Sequence, residues 1–169
     1  QLSDIILKEQ VTHSLMLPSL YQVLLQFASV ENLCSFIAIM VAGETCPMSL
    51  KDEHFDKLPQ VKLYNEYGPT EASVWCIAHE FKKDKNSPKI PIGKPIPNAK
   101  AYILDSFMNP VPVGVSGELY IGGKGITNGY LNRLELTEEK FLPNPFEAKE
   151  RIYKTGDLAS FRKDGLIDF

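Results

Sequence analysis

Thr70 and Glu71 set a hydroxyl and a carboxylate side by side, directly after the Gly68-Pro69 pair in the stretch YNEYGPTEASVW, residues 64–75. Proline fixes its own φ, and glycine, having no Cβ, lets another group come close to the backbone, so the tip of such a turn can approach a ligand. Glu71 is a hard oxygen donor of the kind Mg²⁺ takes alongside phosphate oxygens. The Thr70 hydroxyl can donate to a phosphate, and Tyr67 offers a flat face on which a base could stack. A nucleotide site needs all three together. A polar hairpin turn between two strands accounts for the same residues.

Two further stretches raise similar alternatives. GELYIGGKGITNGYLNRLELTEEKF, Gly117 to Phe141, carries glycines at 117, 122, 123, 125 and 129. Its GGKG resembles a phosphate loop, but it lacks the G-x-x-x-x-G-K-[ST] spacing, so tight turns are the better account. In YKTGDL, Tyr153 to Leu158, Asp157 follows a glycine at a junction between strands. The two acceptor oxygens of a carboxylate suit a vicinal diol such as that of ribose, and an aspartate in a turn is also commonplace.

The elements that must hold these residues change character along the chain. SDIILKEQ offers Ser3 or Asp4 as the N-cap of a short helix, and SLYQVLLQF after Pro18 places Leu20, Val23, Leu24 and Phe27 on one helical face. FIAIMVAGE, closed by Gly43, has the pattern of a strand covered on both faces. PMSLKDEHFDKL restarts a helix with Ser49 as candidate cap, and VKLYNEYG returns to strand. Helix and strand in alternation predict a parallel sheet with crossover helices. From Val74 onward SVWCIAHEF, AKAYILD, SGELYIGG, RIYKTGDLASF and GLIDF read as strands of an antiparallel sheet or barrel. The expected division is an α/β portion over 1–81, an exposed charged loop over Lys82–Pro91, and a β-rich portion over 92–169.

Composition excludes several classes. Eighteen basic and 21 acidic side chains give a net charge of −3 in 169 residues, with no basic stripe for a nucleic-acid backbone. Cys34, Cys46 and Cys76 are odd in number and form no C-x-x-C pair, which fits a reducing cytoplasm rather than a disulfide framework or zinc site. The apolar run Asn32 to Gly43 falls short of the roughly 20 residues that span a bilayer. The expectation is a soluble cytoplasmic protein without nucleic-acid or membrane partners. His13, His54 and His79 read as surface or core residues. The start at Gln1 and the stop inside DGLIDF suggest a piece of a longer chain.

Taken in order, NEYGPTE, GELYIGGKGITNGYLNR with its following LT and KF, and YKTGDL with DGLIDF closely resemble the later core motifs of AMP-forming adenylation domains. GYLNRLELTEEKF points to the nonribosomal peptide synthetase branch. The resemblance reaches from about LMLPSLYQVLL to Phe169. It implies part of the large N-terminal subdomain of an adenylating enzyme, a mixed or parallel sheet with helices followed by a β-rich, barrel-like part. It also implies a two-step reaction: a carboxylic, expected amino, acid and ATP give an acyl-adenylate and pyrophosphate. The acyl group then passes to the phosphopantetheine thiol of a carrier domain, in a chain that also holds condensation domains.

By the same resemblance Thr70 contacts the α-phosphate and Glu71 holds Mg²⁺. Asn65, Glu66, Tyr67 and Gly68 lie against the nucleotide, Asp157 accepts from the ribose hydroxyls, and Phe169 supplies an aromatic face where the family usually has Tyr. The pocket walls implied for the acid are Met16, Met40, Ala42, Glu66, Val74 and Trp75. The family's earlier phosphate loop, its anchor for the substrate amino group, its hinge and its C-terminal lysine match nothing in these residues, so the chain by itself is expected to be inactive. An acyl- or aryl-CoA ligase of the same superfamily, or a degenerate adenylation module kept for protein contacts, are the rival readings.

Overall fold

In a computed structural model, residues 1–83 and 89–169 are described, and they form two compact units. The first comprises Gln1–Glu66 and His79–Ile90, the second Tyr67–Ala78 and Pro91–Phe169. The chain therefore leaves the first unit at the start of the Tyr-Gly-Pro-Thr-Glu turn and returns to it briefly, where the sequence suggested a single change near 81. Of the loop expected over Lys82–Pro91, residues 84–88 lie outside the described residues. Lys82, Lys83 and Lys89 are exposed, whereas Pro91 is buried.

The first unit is α/β. Helices α1 (Leu2–Lys8), α2 (Pro18–Phe27), α3 (Val30–Leu33) and α4 (Met48–Lys57) alternate with strands β1 (His13–Met16), β2 (Ala38–Ala42) and β3 (Lys62–Tyr67). The strands run parallel, with Leu15 opposite Met40 and Met40 opposite Tyr64. As the unbroken apolar run predicts, β2 is covered on both faces, with Ile39 and Val41 buried on one and Ala38 and Ala42 on the other. Neither predicted cap is formed: α1 starts after Gln1 and α4 after Pro47, each without a side-chain cap bond, so Ser3, Asp4 and Ser49 lie inside the helices.

Helix α2 buries a different face from the predicted one. Tyr21, Leu24 and Leu25 face the core, while Leu20, Val23 and Phe27 stay exposed. At the centre, the buried Tyr21 hydroxyl meets His54 Nδ1 at 2.5 Å and His54 Nε2 lies 2.8 Å from the Val61 carbonyl oxygen. A carbonyl can only accept, so Nε2 carries the proton and Nδ1 accepts from Tyr21. His54 is thus a core residue.

The second unit is β-rich. A single 3₁₀ turn (Thr70–Ala72) leads toward β4 (Ile77–Glu80), whose first two residues, Ile77 and Ala78, belong to this unit and pair antiparallel with β5 (Lys94–Pro95). Strands β6 (Ala99–Leu104), β7 (Gly117–Gly123), β9 (Arg151–Phe161) and β10 (Ile167–Asp168) form an antiparallel sheet in the order β10-β9-β7-β6, and β8 (Phe141–Pro143) also pairs with β9. Ile77, Ile103, Leu119, Ile121 and Ile167 make its core. Ser73 and Val74 take φ of 58° and 74°, so the strand expected from Ser73 starts only at Ile77. A short helix, α5 (Leu134–Lys140), has no buried residue. Without an apolar stripe, it carries no periodic signal in the sequence. Among the described residues no helix is long and apolar enough to cross a membrane.

Candidate functional site

The turn after β3 is not a hairpin. The Ala72 amide donates to the Pro69 carbonyl at 3.0 Å and the Ser73 amide to the Thr70 carbonyl at 3.1 Å, closing the 3₁₀ turn. The left-handed pair Ser73-Val74 then sends the chain back so that the Cys76 amide donates to the Tyr67 carbonyl at 3.1 Å. Gly68 does allow a close approach, but of the chain's own backbone: a Cβ there would lie 2.2 Å from the Val74 carbonyl oxygen. The loop is folded against itself, with Thr70 exposed at its tip and Glu71 half-buried.

Asp157 reaches this turn from the far end of the unit. Glu118 pairs with Leu158 and Tyr120 with Lys154, so Thr155, Gly156 and Asp157 stand opposite Leu119 alone in a bulge. Gly156 takes φ 84° there, and the Thr155 hydroxyl donates to the Leu119 carbonyl at 2.7 Å while accepting from the Asp157 amide at 3.0 Å. The bulge aims the Asp157 carboxylate at Tyr67, whose hydroxyl donates to it at 2.5 Å. Burial, then this bond to an anion, pushes the Tyr67 phenol well above its ordinary range, so it stays a donor. The ring of Phe169 lies 5.4 Å from that of Tyr67, tilted by 44°. Two separated motifs thus make one patch of a phenol, a carboxylate and two aromatic faces.

Glu71 is held from another direction. Tyr130 donates its hydroxyl to Glu71 Oε1, and the Thr127 amide donates to the Glu71 carbonyl oxygen at 2.9 Å. Partial burial raises the carboxyl. The Tyr130 bond, a backbone bond, Tyr153 and the charge of Lys140 outweigh it and keep Glu71 below the usual carboxylate range, hence ionised. Mg²⁺ is ordinarily bound by one or two carboxylates together with phosphates and water. Among the described residues no three His, Cys, Asp or Glu come together as a metal cage. A single ionised, half-buried carboxylate therefore fits a magnesium ion that arrives with phosphates.

The residues expected to wall the acid pocket separate by unit and by face. In the first unit Ala42 pairs with Glu66, and with Met40 they share one face of the sheet. Met16 and Asn65 both pair with Val41, which places them on the opposite face; Met16 packs on the core cluster and Asn65 is buried. Met16 is thus turned away from the face that carries Met40. Burial raises the Glu66 carboxyl above its ordinary value. In the second unit Val74 is exposed, while Trp75 lines a cleft of about 200 Å³ with Ile96, Pro97, Ile121 and Ile126. Cys76, beside it, has its thiol pushed up to about 12 by burial and is inert as a nucleophile.

Tyr130 and Tyr153 are absent from the sequence reading of the site. Tyr130 meets Glu71 across 59 positions of chain, a distance over which no local pattern speaks. The only trace is the Asn-Gly-Tyr of residues 128–130, where Gly129 takes φ 128°.

The profile of a family described as AMP-binding enzyme matches residues 1–131. Bacitracin synthase 3 of Bacillus licheniformis is 48% identical over 160 residues, which is 95% of this chain and 2% of that protein. Among solved structures, the nonribosomal peptide synthetase FmoA3 in its AMPPNP-bound form superposes with a TM-score of 0.90 at 30% identity, covering 99% of this chain and 18% of that one. An NRPS protein containing adenylation and PCP domains, bound to a vinylsulfonamide inhibitor, superposes with a TM-score of 0.91 at 25% identity over 99% of this chain and 30% of its own. The chain thus spans a small share of the relatives it matches.

Proposed function

Because the chain belongs to the AMP-binding enzyme family, we propose that the protein activates an amino or other carboxylic acid with ATP and hands the acyl group to a carrier domain. In the first step a carboxylate oxygen of the acid bonds to the α-phosphorus of ATP. The bond to the bridging oxygen breaks, and pyrophosphate leaves with that electron pair. In the second the phosphopantetheine thiol loses its proton and displaces AMP, giving a thioester. No covalent intermediate with the enzyme is needed, so the protein's work is positioning and stabilising phosphate charge.

Each side chain then has a task. Tyr67 and Phe169 would offer aromatic faces to the base, Asp157 would accept from the ribose hydroxyls, and the Thr70 hydroxyl would donate to the α-phosphate. Asn65 and Glu66, in β3, and Gly68 after it would lie against the nucleotide. Glu71 would hold Mg²⁺, which when bound offsets charge on the phosphate oxygens. Met16, at the last position of β1, and Met40, Ala42, Glu66, Val74 and Trp75 are the residues proposed to line the acid pocket. The peptidyl carrier and condensation domains are proposed partners in the same chain. The resemblance to an AMPPNP-bound synthetase and to a protein with adenylation and PCP domains supports this reading.

The observation that carries it is the Tyr67–Asp157 bond, which joins the two motifs into one patch with the Phe169 ring beside it. In the full-length protein Asp157→Ala is expected to raise the KM for ATP about ten- to a hundredfold in ATP–pyrophosphate exchange. That is the loss of a hydrogen bond to a charged acceptor, roughly 1.5–3 kcal/mol. The KM for the acid should change little; a change confined to the acid KM would place Asp157 in the other half of the site.

A further inference from the structure

We infer that Tyr130 is a positioning residue for Glu71, holding its carboxylate in the orientation from which it takes Mg²⁺; this rests on the reading of Glu71 as the magnesium ligand. The Tyr130 hydroxyl donates to Glu71 Oε1 and lies 3.4 Å from the Tyr153 hydroxyl. A carboxylate has lone pairs for a second partner, so one bond to a phenol orients it without occupying it.

The phenol is itself braced. The Tyr130 amide donates to Thr137 Oγ1 at 2.9 Å, and that hydroxyl donates to the Arg133 carbonyl at 2.9 Å, tying Tyr130 to α5. Gly129 before it takes φ 128°, and a Cβ there would sit 2.3 Å from Thr137 Cγ2, so the approach has no slack. The Phe141 ring stands edge-on to Tyr130 at 5.6 Å and against Tyr153 at 5.1 Å. Arg151 lies over Phe141 and donates to the Thr127 and Asn128 carbonyls at 3.2 and 3.3 Å. Since the Thr127 amide also holds the Glu71 carbonyl, one short segment, 127–130, grips both the backbone and the side chain of Glu71. A tyrosine needed only to satisfy a half-buried carboxylate would contribute to folding stability. A tyrosine that orients a ligand changes metal affinity as well, typically ten- to a hundredfold for such outer partners.

The test uses the full-length protein with ATP and Mn²⁺ as a magnetic stand-in, following bound Mn²⁺ by electron paramagnetic resonance and stability by thermal melting. Tyr130→Phe removes the hydroxyl and keeps the ring against Phe141. It is expected to weaken Mn²⁺ binding about tenfold or more, and to raise the Mg²⁺ needed for half-maximal exchange, with the rate recovering at saturating Mg²⁺. In a Glu71→Gln background the same change should add nothing. Weakening by Glu71→Gln but none by Tyr130→Phe would overturn the positioning role and leave the metal assignment standing. A lowered melting temperature with unchanged Mn²⁺ affinity would reduce Tyr130 to a structural residue. Tighter Mn²⁺ binding in Tyr130→Phe would mean the phenol competes with the ion. If Glu71→Gln itself left Mn²⁺ binding intact, the metal assignment would fail and the inference with it.

Discussion

An alanine at position 68 would put its Cβ 2.2 Å from the Val74 carbonyl oxygen and 2.9 Å from the Cys76 amide, both backbone atoms that no rotamer change can move. Gly68→Ala is therefore expected to cost at least roughly 2 kcal/mol, the upper range of an overpacked site, and to disturb Tyr67 and Glu71 on either side. Thr70→Ala, at an exposed position, should leave stability nearly unchanged, and a pair of thermal melts compares the two. The residues with chemistry to offer were legible in the sequence because their types announce it: a carboxylate after Gly-Pro, and a carboxylate after Thr-Gly. Gly68 was legible only as permissive, since sequence does not say what approaches it. The pairing of Tyr130 with Glu71 was not legible, because the two lie 59 positions apart.

Helix α2 shows what period can and cannot say at the scale of an element. Pro18 to Phe27 is apolar everywhere but the stripe of Ser19, Gln22 and Gln26, so Leu20, Val23 and Phe27 repeat at helical spacing as well as Tyr21, Leu24 and Leu25 do. The face is chosen by partners distant in sequence, among them His54, and these bury Tyr21 completely while Phe27 is left 83% exposed. An exposed stripe of this kind favours association. The 169-residue chain on its own is expected to self-associate, and replacing Leu20, Val23 and Phe27 with glutamine should shift it toward monomer in light scattering. An unchanged mass would show that other surfaces drive the contact. Strand β2 and the parallel pairing were readable from an unbroken apolar run. Helix α5 was not, having no buried residue to mark it.

Stability of the molecule should depend on pH through one buried ring. Desolvation lowers the His54 pKa, only partly opposed by its bond to the Val61 carbonyl. Unfolded histidine titrates near 6.5, so as pH falls the unfolded chain takes up the proton first. The first unit's stability is then full above about pH 6.5 and declines as pH drops toward the lower folded value. Urea midpoints for the native chain should fall between pH 7.5 and 5.5. His54→Gln should start from a lower midpoint and lose less of it over that interval; equal slopes would remove His54 as the cause. An α/β part followed by a β-rich part is the division expected from the sequence, but the grouping of Tyr67–Ala78 with residues 91–169 has no signature there. Composition read along the chain assigns contiguous stretches and cannot see an excursion of twelve residues.

The bulge that presents Asp157 makes length itself a requirement. Lys154 and Leu158 lie four positions apart and face Tyr120 and Glu118, two apart, so both intervals are even and the strand re-enters its ladder in phase. Deleting any one residue of Thr155, Gly156 and Asp157 makes the interval odd. Every later side chain of β9 then exchanges faces: Leu158, now 66% exposed, turns inward, and Ala159, now 3% exposed, turns out. Loss of a single codon here is thus a frame error written in geometry, harsher than many substitutions. Losing two would restore the phase of the sheet while taking away the projection that carries the carboxylate.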